Sequence, residues 1–187
     1  MNKAAEKSLL KAGILVLFKK EHNDVLGKLD SLDESINNLQ YEGKVYFGKN
    51  SKAIEKNVNF LKKKLFYHIA LDEKVIFPFL ETHIPKLSPL LFFLRAERNE
   101  VKLSLDNFEK LFQKITAETD SFIRQRIILQ LKEKGIYIVC LMRNHIQMEI
   151  ESVYKPVDQQ LHVEEKRLFF KECFKFMAGK SQKVCDS

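Results

Sequence analysis

Cysteine is scarce in this chain of 187 residues: Cys140, Cys173 and Cys185 make three, an odd number without CxxC or finger spacing. That excludes a disulfide framework and a thiolate zinc site, and it points to a reducing compartment. Glycine and proline number six and four, too few for collagen-like or low-complexity sequence. Long hydrophobic runs are also missing. The longest apolar stretch, Ile136 to Met142, falls far short of a membrane span. The run Ile14 to Phe18, cut off at once by Lys19, Lys20 and Glu21, is too short for a signal peptide and lacks a small-residue cleavage site. The expectation is a cytoplasmic protein without a membrane partner. Basic clusters are equally sparse. Lys62-Lys63-Lys64 is the only basic triplet, and no nucleic-acid motif accompanies it. The net charge of +7 therefore reads as a solvated surface, and no nucleic-acid partner is expected.

What is present is helical patterning. Apolar residues are 45% and charged residues 30%, a globular balance, and the length suits one domain that needs no disulfide staple. Leu15, Phe18, Val25, Leu29, Leu32, Ile36 and Leu39 recur at three-four spacing, the period of one helix face. Tyr41 to Asn50, with Gly43 and Gly48, reads as a loop, and Ser51 as the N-cap of a second helix. Its stripe is Ile54, Val58, Leu61, Leu65, Val75 and Phe79, and Thr82 to Pro89 reads as a tight connection. The third stripe runs from Leu91 through Leu94, Val101, Leu105, Phe108 and Phe112 to Ile115. Thr119, Asp120 and Ser121 supply caps for a fourth helix, which carries Ile128, Leu131, Gly135, Ile138 and Met142 and reaches Tyr154, where Pro156 is expected to stop it. A fifth, shorter helix spans about Val157 to Met177. Four long helices with short connections imply an all-α, antiparallel up-down four-helix bundle with an additional short C-terminal helix. It forms one domain over residues 1–178, followed by a tail over 179–187.

Each core stripe is interrupted by polar groups. His22 falls on the seam of helix one, His68 and Asp72 on helix two, Arg98 on helix three, and His145 and Glu149 on helix four. Burying such groups singly costs several kcal/mol, about 2–7 for an unpaired polar group and more for a charge. They should therefore be paired or coordinated. Imidazole and carboxylate form the ligand set for iron, manganese or zinc in a helix bundle. His68-x-x-x-Asp72 and His145-x-x-x-Glu149 each stack an imidazole and an acid one turn apart on one face. The ferritin-like Glu-x-x-His motif is absent, because no histidine has Glu three residues before it.

These residues resemble the hemerythrin-like (HHE cation-binding) family. Glu21-His22 with Val25 and Leu29 resembles its first-helix element. His68-x-x-x-Asp72-Glu73-x-x-x-Phe77-Pro78 resembles the second-helix element, terminal proline included. His145-x-x-x-Glu149 with Tyr154 and Pro156 resembles the fourth-helix element, with the proline one position late. The resemblance covers roughly residues 10 to 160. It implies a non-haem iron centre of one or two ions, with His22, His68 and His145 as terminal ligands and Asp72 and Glu149 as bridging ones. It further implies binding or sensing of oxygen or nitric oxide, or iron homeostasis or repair.

Two positions depart from the pattern. Where the third helix should read Glu-His, the chain reads Glu97-Arg98, a permanent cation in place of a neutral ligand. Asp72 is one methylene shorter than the usual Glu, with Glu73 at the neighbouring angle. Three arrangements stay open. One metal binds to a reduced set; Glu97 substitutes as a ligand; or Arg98 pairs with Asp72 and Glu149, leaving a metal-free bundle that serves as a protein-interaction module. An enzyme using the same centre for redox or repair chemistry is a further reading that the sequence does not separate from simple binding. Outside the seam, His83 reads as a surface or capping residue and His162 as solvent-facing. Cys140 reads as a small buried residue, and Tyr67 as a donor beside His68.

Overall fold

The structure, a computed structural model, describes residues 13–41 and 44–181. Among these residues every regular element is helical. The order is α1 (Leu15–Tyr41), α2 (Lys44–Leu71), a π turn (Asp72–Ile76), α3 (Phe77–His83), a 3-10 turn (Pro85–Leu87) and α4 (Ser88–Ala117). Then come α5 (Ser121–Met148), a second π turn (Glu149–Tyr154), α6 (Lys155–Gln160) and α7 (Val163–Ser181). None of the helices among the described residues is long and apolar enough to cross a membrane.

The stripes read from the sequence are the buried faces. Phe18, Leu29, Leu32, Ile54, Leu61, Leu91, Leu94, Val101, Phe108, Leu131 and Ile138 are all buried. Asp120 caps α5 as expected, accepting from the amides of Phe122 at 2.8 Å and Ile123 at 3.0 Å.

Several boundaries differ. The loop expected over Tyr41 to Asn50 is shorter, because α2 already runs from Lys44 and carries Ser51 in its interior. A glycine costs a helix only about 1 kcal/mol, too little to end one. The connection expected over Thr82 to Pro89 also shrinks. α3 continues to His83, the chain breaks at Ile84 (φ −135°, ψ 67°), and α4 starts at Ser88. Pro156 does not stop the fourth helix, which remains helical to Gln160. The last helix starts at Val163 rather than Val157 and reaches Ser181, while 182–187, most of the expected tail, lies outside the described residues.

The continuation through Pro156 has a local cause. The amide of Lys155, just before the proline, bonds five residues back to the Ile150 carbonyl. The same device precedes Pro78, where the Phe77 amide bonds to the Asp72 carbonyl. Each π turn inserts one residue, and the following proline lies in the first turn of the next α segment, where a missing amide costs little.

The described residues fall into two compact units. The first holds residues 13–21, 66–95 and 146–181. Its core gathers Ile14, Phe18, Leu71, Phe77, Tyr154, Phe169 and Phe170. The Phe18 and Tyr154 rings stack at 4.7 Å, and Phe79 meets Phe169 edge-on at 5.2 Å. The chain enters this unit at Gly13, whose φ of +85° is the left-handed region, and a side chain there would run into the Asp158 carboxylate. Asp158 uses that access to accept the Ile14 amide at 2.8 and 2.9 Å, capping α1 from far along the chain. The second unit holds residues 22–65 and 96–145. Gly135 of α5 lets Ile36 and Phe108 approach it closely, and Lys62 bridges Asp106 and Glu109, each at 2.8 Å.

Candidate metal centre

All six seam residues are buried. Asp72 is 0% exposed, Arg98 and Glu149 1%, His22 4%, His145 5% and His68 7%. They are placed by helix periodicity, which puts each on the same face as its neighbouring Leu or Phe.

In the first unit His68 is the hub. It occupies the last turn of α2, and Asp72, one turn on, opens the first π turn. Glu149 opens the second π turn. The Nε2 atom of His68 lies 3.1 Å from Asp72 Oδ2 and 3.2 Å from Glu149 Oε2. Its Nδ1 lies 3.7 Å from Glu21 Oε2. The Phe18 ring meets the imidazole edge-on at 5.8 Å and holds its plane. Three acids thus surround one imidazole.

The electrostatics follow. Burial, the largest single effect on His68, acts to lower its pKa, but Asp72, Glu149 and Glu21 together outweigh it and raise it well above the ordinary 6.5. Cys173 of α7 is pushed up to about 12 by burial first and then by the Asp72 and Glu172 charges. Tyr67 is raised by burial and by Glu21. Cys173 thus senses Asp72 and Tyr67 senses Glu21, two of the acids around His68. If Glu21, Asp72 and Glu149 are ionised, a protonated His68 still leaves the group net negative. A hard or borderline cation suits that donor set, and His68 and Glu149 offer ligand atoms within 4.8 Å of each other.

In the second unit the chemistry differs. His145 Nδ1 lies 3.0 Å from Glu97 Oε2, and Arg98 donates its Nε–H to His145 Nε2 at 3.2 Å. His22 is buried in α1, directly after Glu21.

The remaining candidates are placed plainly. Glu73 is exposed, rotated away by its position one residue past Asp72. Glu97 meets His145 rather than acting alone. His83 caps α3 through a 2.9 Å contact from its Nδ1 to the Phe79 carbonyl, and His162 is exposed. Cys140 is exposed, which corrects its expected burial, since it lies opposite the buried face of α5. Tyr67 packs toward Phe176 at 6.4 Å and senses Glu21. Two features escaped the sequence reading. Glu21 is a direct neighbour of His68, although its only signal was adjacency to His22. The π turns were signalled only by an acid followed six or seven residues later by a proline.

The family model of the Hemerythrin HHE cation binding domain matches residues 13–169. No curated protein matches the chain.

Proposed function

The chain belongs to the hemerythrin HHE cation-binding family, and from that premise we propose that it is a non-haem iron protein that binds or senses a diatomic gas, oxygen or nitric oxide. The observation that carries this reading is the His68 Nε2 atom poised between Asp72 and Glu149. His68, Asp72 and Glu149 hold the metal in this reading. Bound there, iron supplies affinity for the gas. The protein's part is to position and shield. Phe18 meets the His68 ring edge-on and stacks on Tyr154, both aromatic rings being buried, so the imidazole has apolar surface on that side. The proton favoured on His68 must leave when metal binds, so loading releases acid.

In the same reading the fold is one antiparallel up-down four-helix bundle domain over residues 1–178, and the protein works in the cytoplasm. A single unbroken family match and the free thiols of Cys140 and Cys173 support this. Iron homeostasis or repair fits the same ligands.

The test is anaerobic loading with ferrous iron followed by elemental analysis. At least one iron per chain is expected, lost in His68→Leu. Protein that takes up none, and whose stability ignores chelator, would instead fit a metal-free interaction module. The Arg98 contact to His145 favours that second reading.

A further inference from the structure

Both ring nitrogens of His145 are in use. The Arg98 Nε–H can only donate, so His145 Nε2 accepts with its lone pair. The ring proton then sits on Nδ1 and is donated to Glu97 Oε2. The result is a neutral imidazole linking a cation to an anion: Arg98 is 1% exposed, while the Glu97 side chain reaches 14%. Arg98 and Glu97 thus carry opposite charges on the two sides of one ring.

His68 is the opposite case. Its Nε2 faces two acceptors, Asp72 and Glu149, so a cation can take the place of its proton without losing any contact. A cation approaching His145 Nε2 must instead displace a buried guanidinium that never deprotonates, and it meets that positive charge at hydrogen-bond distance. The i,i+4 pair His145/Glu149 is therefore divided. Glu149 serves His68, and His145 serves Arg98.

We infer that Arg98 withholds His145 from metal, so that the chain holds a single cation, on His68, Asp72 and Glu149, while Glu97, His145 and Arg98 form a hydrogen-bonded triad. This deepens the metal-binding reading and rests on it for the single ion, though the action of Arg98 on His145 stands apart from it.

The experiment uses full-length protein dialysed against Zn(II), a diamagnetic probe, with zinc counted per chain and the His145 ring nitrogens followed by 15N NMR. The wild type should hold one zinc. His145→Ala should keep it, and Arg98→His should hold two. His145 should show the Nδ1–H form with and without zinc. Two zinc ions in the wild type, loss of zinc in His145→Ala, or a zinc-induced change at His145 Nε2 would overturn the inference. No gain in a folded Arg98→His would do the same. Should Arg98→His fail to fold, the tautomer decides, and an Nε2–H or doubly protonated ring defeats the inference. A wild type without zinc beside an Arg98→His variant that gains it would sink the iron proposal and uphold the action of Arg98.

Discussion

Arg98 Nε and His145 Nε2 lie 3.2 Å apart, and both residues are buried. A guanidinium so placed makes the imidazole a structural partner, and truncating either side removes a buried hydrogen bond from the other. His145→Leu should cost about 1–3 kcal/mol in urea denaturation, the cost of removing one partner of a buried hydrogen bond. In the double variant Arg98→Leu/His145→Leu the two losses should fall short of their sum by about 1 kcal/mol or more. Strict additivity would show that the contact carries no energy.

The raised pKa of His68 has a definite sign in stability. Its protonated form is favoured by folding. In metal-free protein its contribution is full below the ordinary value of 6.5 and is lost as pH rises through the higher folded value. The urea midpoint of chelator-treated protein should therefore drop as pH rises above the ordinary histidine value of 6.5, and His68→Gln should flatten that drop. An unchanged slope in the variant would assign the pH dependence elsewhere.

The thiols should separate cleanly. Cys140 is exposed and Cys173 is buried with its pKa near 12. At about pH 8 the Cys173 thiolate is on the order of one part in ten thousand. In a Cys185→Ser background, a chromogenic disulfide reagent should titrate one thiol in native protein and the second only after unfolding. Prompt reaction of both would contradict the packing of α7.

Glycine substitutions test the packing of the second unit. A methyl at Gly27 meets nothing within 4 Å, so Gly27→Ala should stabilise by about 0.5–1 kcal/mol through helix propensity. At Gly135 the methyl collides with Ile36 and comes within 3.3 Å of Phe108. Overpacking of about 1–3 kcal/mol should outweigh the propensity gain, leaving Gly135→Ala destabilised. Thermal melts of the two variants should move in opposite directions.

The seam was legible because helix periodicity alone decides which face is inward. His22, His68, Asp72, Arg98, His145 and Glu149 all stood where Leu was due, and all are buried. Pairing was not legible. Periodicity puts His145 and Glu149 on one face, but only tertiary packing sends one to Arg98 and the other to His68. Glu21 escaped for the same reason, since its contact to His68 spans two helices. The helix ends were misjudged where a local breaker was overruled, at Gly48 by the helix around it and at Pro156 by the π turn before it. Cys140 was misplaced because it is next to the stripe in sequence but turned away from it around the helix.

A bulge in a helix is free to creep, each amide handing its bond to the next carbonyl along. Pro78 and Pro156 have no amide to hand over, so neither bulge can migrate past them toward the C-terminus. Asp72 and Glu149, each standing at the head of such a turn, are thereby latched in azimuth, and the acid pair keeps its aim on one imidazole whether or not anything lies between them.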